Sequence, residues 1–188
     1  MNESNSQPLE GATVGVFLAP EGTEEIEFTE SRDAVADAGA TVDVLGSEPG
    51  EGRTVNDDLE ESESYAVDET FDEVAADDYD ALIVPGGTVG ADTLRTDEDG
   101  VELLEAHLAD GKPAGVICHG PWTLLEADAV EGRTLTSYHS LESDLRNAGG
   151  EWVDEEVVTD DGLVTSRNPD DLEAFCETIV EEFAARSD

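Results

Sequence analysis

Basic residues are nearly missing from this chain: Lys112 is the only lysine, and lysine and arginine together number 8 against 49 aspartates and glutamates. Nucleic acid and anionic membrane surfaces both demand a basic footprint, so neither is expected as a stable partner. Apolar runs of about 20 residues are also missing, which leaves no candidate for a membrane-spanning helix. Met1 to Glu10 carries neither a basic nor an apolar stretch and reads as a flexible leader, not an export signal. Cysteine occurs twice, at Cys118 and Cys176, in unlike settings. No disulfide framework follows, and this usage points to a reducing cytoplasm.

What remains is a formal net charge of −41 on 188 residues, of which 38% are hydrophobic. That length suits one domain, taken as 11–188, better than two small ones. The acidic residues are spread among good apolar runs and do not form a tail. At low ionic strength such a chain repels itself, whereas at about 1 M salt the Debye length falls to roughly 3 Å. The surface reads as one built for a very salty cytoplasm; the alternative is an acidic protein of an ordinary cell.

Along the chain, Ala12 to Ala19 is a short apolar strand ending at Pro20. Glu24 to Ala38 is helical, with Ile26, Phe28, Ala34, Val35 and Ala38 as its apolar or small positions and Gly39 as its stop. Thr41 to Leu45 is the next strand, completing a β-α-β unit. Residues 46–70 are rich in Gly, Glu, Ser and Asp and predict at most a weak hairpin around Tyr65–Val67. Ala81 to Val84 is a buried strand running into Pro85-Gly86-Gly87. A helical stretch from Gly90 to Ala109 breaks near Asp97–Gly100. Ala114 to Ile117 is a strand leading into Cys118-His119-Gly120-Pro121 and the helix 121–127. Strand-like Thr134–Ser137, helical Leu141–Ala148, strands near Glu151–Val153 and Leu163–Ser166, and a helix over Asp170–Ala185 follow. Short, fully apolar strands alternating with helices predict an α/β fold: a three-layer, doubly wound sandwich with a mainly parallel sheet, flavodoxin-like.

In such sheets the crevice lies beyond the carboxyl ends of the strands. Cys118 sits there, on a sharp strand-to-helix turn of the kind that presents a nucleophile. Free N–H groups and the positive end of the following helix favour thiolate over thiol. Cys176, inside the terminal helix, reads as packing. Pro85-Gly86-Gly87 also follows a strand, and its amides, with that of His119, can form an oxyanion hole. The third feature is Glu24-Glu25-Ile26-Glu27. An acidic helix start accounts for Glu24 and Glu25, while Glu27, one turn further in, is the carboxylate expected over the crevice. Adjacent side chains tend to point apart, so His119 is not required to touch the sulfur.

These features, in this order, resemble the ThiJ/PfpI superfamily, its PfpI-like branch above all, within the class I glutamine amidotransferase-like fold. The carrying segments are Gly22–Glu27, Leu82–Gly87, Gly111–Trp122, Gly132–Tyr138, Asn147–Asp154 and Thr165–Asp170. The resemblance implies Cys118 as nucleophile, Glu27 as the carboxyl bonded to it, and Gly87 and His119 in the oxyanion hole. Gly86, Asp92 and Tyr138 are accessory candidates. In PfpI-type members a carboxylate from a neighbouring subunit is proposed to orient the histidine, and Asp92 is the nearest match, in a loop one residue longer than usual. No metal, no cofactor and a homo-oligomer (dimer, trimer or hexamer) are implied.

Three functions fit these residues. The first is a glutathione-independent glyoxalase or deglycase, in which Cys118 attacks a small carbonyl substrate such as methylglyoxal or its adduct on an amine, and Glu27 shuttles a proton. The second is an intracellular cysteine peptidase using Cys118 and His119. The third is a redox-sensing or chaperone protein in which Cys118 is reversibly oxidised.

Overall fold

The computed structural model describes residues 7–187. Its elements begin with β1 (Thr13–Leu18), β2 (Glu21–Glu24), α1 (Glu25–Asp37) and β3 (Thr41–Gly46). Next come β4 (Gly50–Asn56), β5 (Glu60–Val67), β6 (Glu69–Thr70), β7 (Ala81–Val84), α2 (Thr88–Leu94), α3 (Glu98–Ala109), β8 (Ala114–Ile117) and α4 (Pro121–Glu126). The rest are β9 (Thr134–Leu135), α5 (Glu142–Asn147), β10 (Glu151–Trp152), β11 (Val158–Asp160), β12 (Leu163–Ser166) and α6 (Leu172–Arg186). The main sheet has seven strands in the order β11-β12-β8-β7-β1-β3-β6. All its pairings are parallel except that of β11 with β12. This is the three-layer α/β arrangement read from the sequence.

Both faces of the sheet are buried, which is why its strands are apolar without alternation. Val14, Val16, Ala81, Ile83, Ile117 and Val164 meet Phe28 and Val35 of α1 and Phe175, Ile179 and Phe183 of α6. On the opposite face Phe17, Leu82, Val84, Val116 and Leu163 meet Leu103, Leu104 and Leu108 of α3 and Leu124 of α4. Each fully buried side chain of this size contributes about 1.5–3 kcal/mol from apolar burial.

Four expectations change. Residues 1–6 of the expected leader lie outside the described residues, and its described part is tied down: Leu9 is buried and its amide bonds Ala38 at 2.8 Å. Ile26 is exposed, and the inward face of α1 is instead Glu27, Phe28, Ser31 and Val35. The segment near Glu151–Val153 pairs with β9 in a separate two-stranded ribbon and does not join the main sheet. The polar stretch 46–70 is no weak hairpin: β4 and β5 form an antiparallel ladder, and β2 extends it as a third, parallel strand. That small sheet carries part of the site.

Candidate active site

Beyond the carboxyl ends of β7 and β8, two turns converge with the start of α1. Cys118 occupies the first turn with φ 62°, left-handed for a residue with a side chain. Such a conformation costs about 1–3 kcal/mol and persists only where neighbours enforce it. Here its amide donates to Ser166 O at 3.0 Å and its carbonyl accepts from Tyr138 N at 2.8 Å.

The second turn is Pro85-Gly86-Gly87. A Cβ on Gly86 would lie 2.7 Å from both Cys118 Cβ and Glu27 Oε1, so only glycine lets thiol and carboxyl approach. Gly87 has φ 87°, and a Cβ there would strike Gly22 O. The Gly87 and His119 amides, the donors expected of an oxyanion hole, stand beside the Cys118 sulfur and draw its proton affinity down.

Glu27 is fully buried. Oε1 accepts the Gly86 N–H at 2.9 Å. Oε2 has no hydrogen-bond partner among the described residues, and the carboxyl and Cys118 both close on the open side of Gly86. Burial above all pushes the Glu27 carboxyl up to about 8, so at neutrality it holds a proton it can give to sulfur or substrate. Contrary to the thiolate expected at this turn, burial and then the Glu27 charge push the Cys118 thiol upward, against the pull of the two amides. A protonated Glu27 removes that second cause and becomes a donor to the thiolate.

His119 does touch the sulfur: Nδ1 lies 3.1 Å from Sγ. The left-handed turn at Cys118 swings the two adjacent side chains to the same side. The ring stacks on Tyr138, with centroids 4.5 Å apart, and its Nε2 is 3.3 Å from Thr88 Oγ1. Burial lowers its affinity for a proton, opposed by the nearby Asp58 charge. The ring is therefore mainly neutral near pH 7. Among the described residues no three potential ligands are grouped as a metal site requires.

The sequence model of the DJ-1/PfpI family matches residues 12–182. This chain belongs to the DJ-1/PfpI family. General stress protein 18 of Bacillus subtilis is 43% identical over 153 residues, 81% of this chain and 87% of that protein. Protein/nucleic acid deglycase 2 of Escherichia coli is likewise 43% identical over 153 residues, again 81% of this chain and 87% of that protein. Among solved structures, Drosophila melanogaster DJ-1beta matches with a TM-score of 0.83 at 31% identity, covering 92% of this chain and 90% of that one. Relatives named as deglycases make an enzyme of the DJ-1/PfpI family the fitting broad class.

Against this DJ-1/PfpI frame, the structure brings together Cys118, Glu27, His119, Gly86, Gly87 and Tyr138. Asp92 stands exposed on α2 and makes no hydrogen bond to His119 within the chain. The carboxylate that does reach the histidine's surroundings is Asp58, whose Oδ1 accepts the Thr88 N–H at 2.6 Å.

The sequence reading missed Asp58, and it misjudged Glu24. Glu24 is buried, and its two oxygens accept the amides of Asp57 and Asp58 at 2.8 and 3.0 Å. Glu25 grips the same hairpin through Thr54, Ser62 and the Glu63 amide. A signal was present in Asn56-Asp57-Asp58, since Asn and Asp best tolerate the positive φ of 51° and 63° at Asp57 and Asp58.

Proposed function

We propose that this chain is a cofactor-independent enzyme of reactive carbonyl compounds, with Cys118 as nucleophile and Glu27 as acid and base. Neutral His119, its Nδ1 3.1 Å from Sγ, takes the thiol proton, and the thiolate attacks the aldehyde carbon of an α-oxoaldehyde such as methylglyoxal. A C–S bond forms, and the aldehyde oxygen takes a proton from Glu27 to give a hemithioacetal. The Glu27 carboxylate then removes the proton on that carbon and returns it to the neighbouring one, converting hemithioacetal to thioester. Water cleaves the thioester to lactate and free thiol. The amides of Gly87 and His119 meet the oxygen on which negative charge develops. In the early adduct of such an aldehyde with an amine, a hemiaminal, the thiolate displaces the amine: the C–S bond forms, the C–N bond breaks, and Glu27 gives the leaving nitrogen its proton. This yields the same hemithioacetal, a reading supported by relatives named as deglycases.

The observation that carries the proposal is the buried Glu27 carboxyl beside Cys118 with Oε2 unpaired. A proton shuttle needs such a group, and a purely structural carboxylate would be fully bonded. The contact of His119 Nδ1 with Sγ at 3.1 Å also supports a cysteine peptidase. Incubating one purified sample with methylglyoxal, without glutathione, and separately with casein separates the two. Lactate without casein cleavage supports the first reading; casein cleavage without lactate overturns it.

A further inference from the structure

The cavity at Cys118 has a volume of about 250 Å³ and is lined by Glu24, Glu27, Asp57, Asp58, Tyr138 and Pro169 besides the cysteine. Beyond Glu27, three carboxylates therefore stand around the path to one sulfur, with no basic side chain among the lining residues. Asp57 is exposed at the rim, Asp58 half-buried and Glu24 buried. Their placement is fixed: Glu24 clamps the Asp57 and Asp58 amides, and Asp58 accepts from Thr88. Glu27, whose Oε2 is buried and has no hydrogen-bond partner among the described residues, opens onto the same cavity and offers a ligand a hydrogen bond there.

We infer that Asp57 and Asp58 sort the molecules reaching Cys118 by charge, admitting neutral or cationic carbonyl compounds and turning away those that bear a carboxylate. A neutral oxoaldehyde enters freely, and so does an aldehyde adduct on a cationic side chain. An oxo acid of the same size is repelled. The product of the proposed reaction is itself a carboxylate, so the same charges drive it out and keep product inhibition weak. Unit charges 4 Å apart already interact by about fivefold in an equilibrium in bulk water, and by more where water is partly displaced. Salt screens a half-closed cavity less than an open surface.

The inference deepens the carbonyl reading but can be tested apart from it, because alkylation needs only the thiolate. In a Cys176→Ala background, Cys118 is alkylated with neutral iodoacetamide and anionic iodoacetate at the lowest KCl that keeps the chain folded. Each rate is divided by that of a small free thiol. The normalised ratio should favour iodoacetamide by about tenfold and fall about threefold or more in Asp57→Asn/Asp58→Asn. Asparagine suits the left-handed backbone at both positions, and Asp57→Asn alone, which leaves Thr88 anchored, should move the ratio in the same direction. Glu181→Gln, which removes one charge from the exposed C-terminal part of α6 as Asp57→Asn does at the cavity, should leave it unchanged. A ratio near one in the parent, or equal shifts from Glu181→Gln and Asp57→Asn, overturns the inference. If the ratio holds but no carbonyl is turned over, the functional reading falls and the charge sorting stands.

Discussion

Glu27 and Cys118 meet across the empty side of Gly86, where a Cβ would lie 2.7 Å from both Glu27 Oε1 and Cys118 Cβ. The carboxyl and the sulfur are thus brought together by a residue that contributes only its amide. Gly86→Ala should cost about 1–3 kcal/mol of stability, in the range of core overpacking, and at least about 100-fold in turnover, since misplacement by an ångström is that costly. Melting curves and steady-state rates on the same sample check this; full activity would mean that the close approach is unimportant.

Glu27→Gln should slow turnover by about 10²–10⁴, because an amide cannot shuttle a proton. Glu24→Gln and Glu25→Gln should cost less, since those side chains hold the β4–β5 hairpin and do not bond the sulfur. Steady-state rates of the three variants rank them, and a slower Glu24→Gln enzyme would assign the proton transfer to the wrong carboxylate.

The same substitution changes the pH dependence of stability. The Glu27 carboxyl titrates at about 8 when folded against an ordinary value of 4.5. Between those values the folded chain holds a proton that the unfolded chain has lost. Stability due to this group therefore falls as pH rises from about 5 to 8, with a limiting slope of about 1.4 kcal/mol per pH unit. Glu27→Gln should flatten that slope, so thermal melts of parent and variant should diverge in the variant's favour toward pH 8. Parallel curves would place the carboxyl in contact with solvent.

Thr88 links Asp58 to His119, its amide bonding Asp58 Oδ1 at 2.6 Å and its hydroxyl lying 3.3 Å from Nε2. Thr88→Val should lower the rate of Cys118 alkylation about three- to tenfold, the worth of one hydrogen bond, and shift its pH profile. Thr88→Ser should restore both. Failure of serine to rescue would show that the threonine acts by packing.

Salt should stabilise the fold. Seven basic side chains already sit in ion pairs, and the eighth, Arg133, bonds the Asp160 carbonyl. Nearly all the remaining carboxylates must then be screened by ions from solution. Thermal melts in about 0.1 M and about 3 M KCl should show a higher melting temperature in the latter. An unchanged value would mean that the acidic surface is no salt adaptation.

The sheet and the cysteine turn were legible because their signals are local. Leu82–Val84 and Val116–Ile117 are short, continuously apolar strands, and each runs into glycine-rich turn chemistry within a few residues. The β4–β5 hairpin was hard to read because Glu60–Val67 is largely exposed and shows no alternation of polar and apolar residues. Its order comes from Glu24 and Glu25, more than thirty residues away along much of the ladder. Asp58 was invisible for the same reason, its partner Thr88 lying 30 positions downstream. Ile26 misled because apolar patterning favours it over Glu27 for the inward face. The neighbour that is buried is the carboxyl that accepts the Gly86 N–H, not the apolar side chain.

The account rests on one sulfur. Lactate formed from methylglyoxal, without glutathione or added metal, is to be followed in the parent, Cys118→Ala and Cys176→Ala, with circular dichroism confirming that all three fold. The account predicts loss of lactate formation in Cys118→Ala, with full activity in Cys176→Ala. Activity retained by a folded Cys118→Ala chain would contradict it.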